Sequence, residues 1–123
     1  MKLEESVVEV ASAPGRGAIA LIRLSGPKAF SIAAGHLQFL PPEPRVTRLC
    51  DVLDRGQKLD QALVTLFPDP HSFTGEDTVE LSVHGGNLVS STIVAALISS
   101  GARQATPGEF TRRAVLNGKL DIL

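Results

Sequence analysis

Tryptophan and tyrosine are absent from these 123 residues, and phenylalanine occurs five times. The core must therefore be aliphatic, and stacked aromatic platforms for single-stranded nucleic acid are not expected. Cysteine is nearly absent too. Cys50 stands alone, which excludes an internal disulfide and any multi-cysteine metal site, and its apolar neighbours Leu49, Val52 and Leu53 predict a buried structural thiol. Charge of either sign is not in excess: the net charge is -1, so no basic field exists for non-specific binding to a phosphate backbone. The basic cluster of Arg112, Arg113 and Lys119 is local and leaves that balance unchanged. No apolar run approaches the roughly 20 residues of a membrane span, and Met1-Lys2-Leu3-Glu4-Glu5 lacks a signal peptide's apolar stretch. A cytosolic protein without membrane partners is expected. No G-x-x-x-x-G-K-[ST] motif occurs, so nucleoside triphosphate hydrolysis through a P-loop is not expected of these residues.

What is present suits one folded domain. Hydrophobic residues make up 43% and charged residues 20%, an ordinary balance for a chain with a single core. The last residues, Asn117 to Leu123, end on an apolar run, which suggests a sequence cut from a longer protein.

Punctuation by glycine and proline divides the chain. Val7 to Ala11 and Ala18 to Leu24 are strand candidates around the loop Ser12-Ala13-Pro14-Gly15-Arg16-Gly17. The second is apolar enough to be buried on both faces for much of its course. Ser25-Gly26-Pro27 opens a helix, with Pro27 in its first position and Phe30, Ala33, Ala34 and Leu37 facing the core. After the stiff Pro41-Pro42-Glu43-Pro44 connector, Thr47 to Leu53 and Ala62 to Phe67 form a hairpin around Asp54 to Lys58. Thr78 to His84 is the next strand. Asn87 caps a helix running to about Ser100, and Gly101 stops it. That helix has two apolar stripes: Val89, Ile93, Ala96 and Leu97 on one, Val94 and Ile98 on the other. The second stripe either packs within the domain or meets another domain or subunit. Ala102 to Ala105 is a short return strand. Thr106 and Glu109 at capping-box spacing, with Pro107 at the first helical position, start a last helix that Asn117-Gly118 closes. The order ββα-ββ-β-α-β-α predicts an α+β fold on a mixed or antiparallel sheet with about three helices.

The most informative stretch is Ser72 to Gly86. Val79, Leu81 and Val83 alternate with Thr78, Glu80, Ser82 and His84, so Glu80 and His84 share one strand face. A solvated surface is the plain reading; the floor of a site is the sharper one. Arg23 interrupts the run Ile19 to Leu24. It either reaches solvent at the strand's end or requires a carboxylate from Glu80, another subunit or a ligand. Lys119 follows the last helix, where a cation suits the helix dipole or the rim of a pocket. His36 and His71 assemble with nothing at metal-ligand spacing, and no nucleophile-base grouping stands out.

Six blocks in order carry a resemblance: Pro14 to Ile19, Arg23 to Gly26, Ser72 to Asp77, His84 to Gly86, Pro107 to Thr111 and Leu116 to Asp121. Across essentially the whole length the chain resembles the N-terminal domain of the MnmE (TrmE) family of tRNA modification GTPases. The resemblance implies a folate-binding and dimerising domain, similar in fold to glycine-cleavage T-protein relatives, followed by a helical domain with an inserted GTPase domain. It implies a tetrahydrofolate derivative (5-formyl- or 5,10-methylene-) as ligand, on positions that fall here on Arg23, Glu80 and Lys119. GTP, Mg and K would belong to the missing GTPase domain. A homodimer, an MnmG-like flavoprotein and tRNA carrying a wobble uridine are the implied partners of the complete protein. No catalytic residue and no metal ligand is expected in this chain. The rival reading is a purely structural dimerisation module without a usable folate site. Asn87 stands where Pro usually follows H-G-G, and Val115 where Phe is usual; neither touches the three ligand positions.

Overall fold

A computed structural model describes residues 3–11, 19–84 and 86–119. The strands are β1 (Val7–Val10), β2 (Ala20–Ser25), β3 (Arg48–Asp54), β4 (Gln57–Phe67), β5 (Thr78–Val83) and β6 (Arg103–Gln104). The helices are α1 (Ala29–Ala34), α2 (Gly86–Ser99) and α3 (Glu109–Leu116). The strands form one sheet in the order β3-β4-β5-β2-β1-β6. All neighbours are antiparallel except β1 and β6, which are parallel. The sheet is therefore mixed, and the α+β expectation and element order hold.

One sheet face builds the core. Val8, Ile22, Leu24, Val64, Val79, Leu81 and Val83 pack there with Ile32 of α1 and Ile93 and Leu97 of α2. Burying such aliphatic side chains contributes about 1.5–3 kcal/mol each. Cys50 lies in this core as expected. His36, which follows α1, ties it across: Nε2 is 2.6 Å from Ser100 Oγ and Nδ1 is 3.0 Å from the Leu53 carbonyl.

Several local expectations are corrected. β4 begins at Gln57, well before Ala62, because backbone pairing with β3 carries the polar Gln57–Gln61 half as a strand. The turn is the pair Arg55 (φ 51°) and Gly56 (φ 79°), the positive-φ conformation that matches hairpin twist. β2 is not buried on both faces: Ile22 and Leu24 are buried, whereas Leu21 and Arg23 on the other face are half-exposed. Ala34 faces solvent, and Ile32 takes the core position beside Ala33. α1 starts after Lys28, so Pro27 precedes the helix rather than opening it. Asn87 lies inside α2 rather than capping it. The two stripes of α2 divide unequally: Val94 joins the core while Ile98, with Leu88, is exposed.

The capping box before α3 is half made. The Glu109 carboxylate accepts from the Thr106 N–H at 3.0 Å, but the Thr106 hydroxyl donates to that carboxylate instead of accepting from the helix. Gly108, not Thr106, precedes the first helical residue, which places Pro107 outside the helix. The loop of Pro14 to Gly17, Ala18 at the start of the second strand candidate, Gly85 and Leu120 to Leu123 lie outside the described residues.

Candidate ligand-binding site

α1 and α2 lie against the core face of the sheet, so the alternate residues of each strand point to the opposite face. Across that face the register places Thr65, Glu80, Arg23 and Glu9 side by side, on β4, β5, β2 and β1 in turn. Directly opposed residues in antiparallel strands bring their Cβ atoms within about 4.5–5.5 Å. The Arg23 Nε donates to Glu80 Oε2 at 2.9 Å, and the two side chains are 21% and 25% exposed. Arg23 thus sits mid-strand with a carboxylate partner within its own chain, and the open question about it resolves to Glu80.

The pair keeps unused capacity. A carboxylate offers about four lone-pair sites and a guanidinium five N–H donors. Among the described residues the Arg23–Glu80 interaction takes one donor from Arg23. Half-exposed groups with that spare capacity can hold a planar ligand bearing both donors and acceptors. Phe73 adds an apolar wall, its ring centroid 5.5 Å from the Arg23 Cζ. Glu9 is half-buried, and that burial pushes its carboxyl above the usual range while Arg23 pulls it back down.

Phe73 belongs to the loop between β4 and β5, and a second set of charges holds that loop. Arg113 of α3 is fully buried; its Nη1 donates to both Glu76 oxygens at 3.0 Å, and its Nη2 to Glu109 Oε2 at 3.2 Å. Arg103 also grips Glu109, at 2.6 Å and 3.0 Å, and reaches Glu5 at 3.0 Å. Hydrogen bonds from Arg103, opposed by burial, hold the Glu109 carboxyl at about 2. Ser25 Oγ, at the end of β2, meets Glu76 at 2.8 Å and Thr74 Oγ1 at 2.7 Å, and Asn117 Nδ2 donates to the Thr74 carbonyl at 2.8 Å. The sequence shows Arg113 only as one member of a local basic cluster; the structure buries it. Its signal was the spacing of Glu109 and Arg113, one helical turn apart on α3.

Lys119 is placed by the end of α3. The Lys119 N–H bonds the Ala114 carbonyl at 2.8 Å and the Gly118 N–H bonds that of Val115 at 3.0 Å, which is a Schellman closure. Its stem passes close to Gly75: a Cβ there would stand 3.2 Å from Lys119 Cγ and 2.9 Å from Asn117 Cβ, at a φ of 81°. One loop therefore carries Phe73 at Arg23 and Gly75 at Lys119. The structure brings Arg23 and Glu80 into contact; Lys119 touches neither among the described residues, and its nearest route to them is that loop. His84 lies just past β5 and is exposed, off the strand that was expected to carry it.

A cleft of about 420 Å³ opens by the same loop, lined by Leu3, Glu4, Pro27, Asp69, Gly75, Glu76, Asp77 and Asn117. Its lining carries four carboxylates and no cation, so it suits an anionic ligand poorly, and neither Arg23 nor Glu80 reaches it. Among the described residues, no group of His, Cys, Asp and Glu is arranged to hold a metal ion, and no helix is long and apolar enough to cross a membrane.

Comparison with known proteins bears on this geometry. The chain is similar to the tRNA modification GTPase MnmE of Saccharophagus degradans, with 47% identity over 119 residues covering 96% of this chain and 26% of that protein. It is similar to the same-named protein of Thiobacillus denitrificans (49% identity, 94% of this chain, 26% of the relative). The protein of that name from Thermotoga sp. is 44% identical over 96% of this chain and 26% of the relative. The chain spans about a quarter of the length of these relatives. The family described as GTP-binding protein TrmE N-terminus matches residues 6–119, which includes the sheet, the Arg23–Glu80 pair and Lys119; this chain belongs to that family.

Proposed function

We propose that the chain is the tetrahydrofolate-binding and dimerising part of a tRNA modification GTPase that acts on wobble uridine in the cytoplasm. Helical and GTPase domains would follow these residues, and GTP, Mg and K would belong to them. An MnmG-like flavoprotein and tRNA would be met by the complete protein. Arg23, Glu80 and Lys119 would hold the folate, in a 5-formyl or 5,10-methylene form. These residues have no catalytic role in this reading.

The observation that carries the reading is the half-exposed Arg23–Glu80 pair on the sheet face away from α1 and α2, walled by Phe73. The edge of a pterin presents paired N–H donors beside a carbonyl. Glu80 accepts the former and the spare Arg23 donors meet the latter, both as charge-assisted bonds. Lys119 suits an anionic tail, being an exposed cation across the loop from Arg23. When bound, the folate would supply a one-carbon unit; the residues here bind and orient it.

Isothermal titration calorimetry with 5-formyltetrahydrofolate tests the pocket. The wild-type chain should bind and Glu80→Ala should bind at least tenfold more weakly, the loss of a charged hydrogen bond. Equal affinity in the two proteins would sink the assignment. The structural-module reading draws on Leu88, 80% exposed on α2. Light scattering with a ligand melt separates the two: a dimer whose melting temperature ignores 5-formyltetrahydrofolate favours the module.

A further inference from the structure

The Arg23–Glu80 pair does not stand alone in its row. β1 crosses β2 so that Glu9 is the register partner of Arg23 on the side away from Glu80. The order across this face is carboxylate, guanidinium, carboxylate, and all three residues are half-exposed. One arginine between two glutamates leaves this row one negative charge in excess. A bare anion is therefore poorly matched to it, and a ring rich in N–H donors is well matched.

Distance supports the same view. β1 and β5 flank β2, so Glu9 and Glu80 stand two strand spacings apart, about 9–10 Å at the backbone. A fused two-ring heterocycle centred near Arg23, with a hydrogen bond at each end, spans that order of distance. Arg23 gives its Nε to Glu80 rather than to Glu9. Among the described residues no hydrogen bond engages the Glu9 carboxylate. A half-exposed carboxylate whose lone pairs are not taken within the fold is free to accept a ligand N–H.

We propose that Glu9 is a specificity-determining residue of this site, a second acceptor that takes N–H donors from the part of the bound heterocycle that Glu80 does not reach. The proposal rests on the folate reading and adds to it that recognition comes from both ends of the ring. For a reduced folate, Glu80 then serves the aminopyrimidinone edge and Glu9 the N–H of the second ring.

Calorimetry on the 123-residue chain decides it, using wild type, Glu9→Ala and Glu80→Ala against 5-formyltetrahydrofolate and a 5,8-dideazatetrahydrofolate, which lacks the N–H groups of the second ring. Glu9→Ala should weaken binding of 5-formyltetrahydrofolate about tenfold without lowering the melting temperature, and should make little difference to the dideaza ligand. If Glu80→Ala loses affinity while Glu9→Ala matches wild type, the role of Glu9 is overturned and the folate reading stands. If Glu9→Ala weakens both ligands equally, Glu9 acts through Arg23 and the proposal is again overturned. If wild type binds neither ligand, the folate reading falls and takes this inference with it.

Discussion

Arg113 and Arg23 both meet glutamate, at 3.0 Å to Glu76 and 2.9 Å to Glu80 respectively, yet the first is fully buried and the second is 21% exposed. Around Arg113 the carboxylates of Glu76 and Glu109 are also engaged by Ser25, Arg103 and Thr106, so the charges meet partners inside the fold. Around Arg23 the partners among the described residues are fewer, and the pair is partly exposed. The contrast teaches that ion-pair distance says little about role. Burial and the number of satisfied lone pairs separate a fastening that holds α3 and the β4–β5 loop from a surface with bonds left to give.

Breaking the buried side should produce the largest effect. Arg113→Met strands the carboxylates of Glu76 and Glu109, and loss of one partner of a buried pair costs about 3–5 kcal/mol. Urea denaturation should show that loss, or a chain that no longer folds cooperatively; a change below about 1 kcal/mol would make the network ornamental.

Acid should act on the same side. The Glu109 carboxyl is held at about 2, below its ordinary 4.5. A lowered value means that the unfolded chain binds the proton more readily. The stabilisation is therefore complete above about pH 4.5 and is lost as pH falls towards 2. It amounts to at most about 3 kcal/mol, discounted because Arg103, its nearest cation, is 33% exposed and screened by solvent. Glu109→Gln should lower stability at pH 7 and flatten the fall between pH 4.5 and 2 in urea titrations.

The open side should respond differently. Glu80→Ala is expected to cost no more than about 1 kcal/mol of stability, as for a solvent-screened pair, while ligand affinity falls. Thermal melts read alongside calorimetry check this, and a large melting loss would erase the contrast between the two clusters. The smallest effect belongs to Glu9. Burial raises its carboxyl, so the folded chain holds that proton more readily and its contribution is greatest at low pH, fading as pH rises above the ordinary 4.5. Glu9→Gln should leave the melting temperature unchanged near pH 4 and raise it slightly at pH 7.

Much of this was legible in the chain. Alternation along Thr78 to Val83 put Glu80 on the face away from the core, and the apolar run around Arg23 showed that this arginine needed an explanation. Turn residues marked nearly every break between elements, and the order of strands and helices followed from them. What escaped was set by partners distant in sequence. Arg113 and Glu76 are 37 residues apart, and nothing local distinguishes a helix arginine that faces solvent from one that enters a buried network. Glu9 reads as an unremarkable strand residue until β1 pairs with β2.

The sequence by itself determined which residues share a strand face, where helices stop and which strand lengths are apolar enough for a core. These depend on backbone periods and turn sterics that act over a few residues. Only the tertiary structure decided which strands lie side by side, and so which charges meet. It joined Glu9, Arg23 and Glu80 in one half-exposed row on the sheet face away from α1 and α2, and it closed Arg113 and Glu109 away from water. Register and burial are properties of the assembled sheet and helices, and no local signal specifies them.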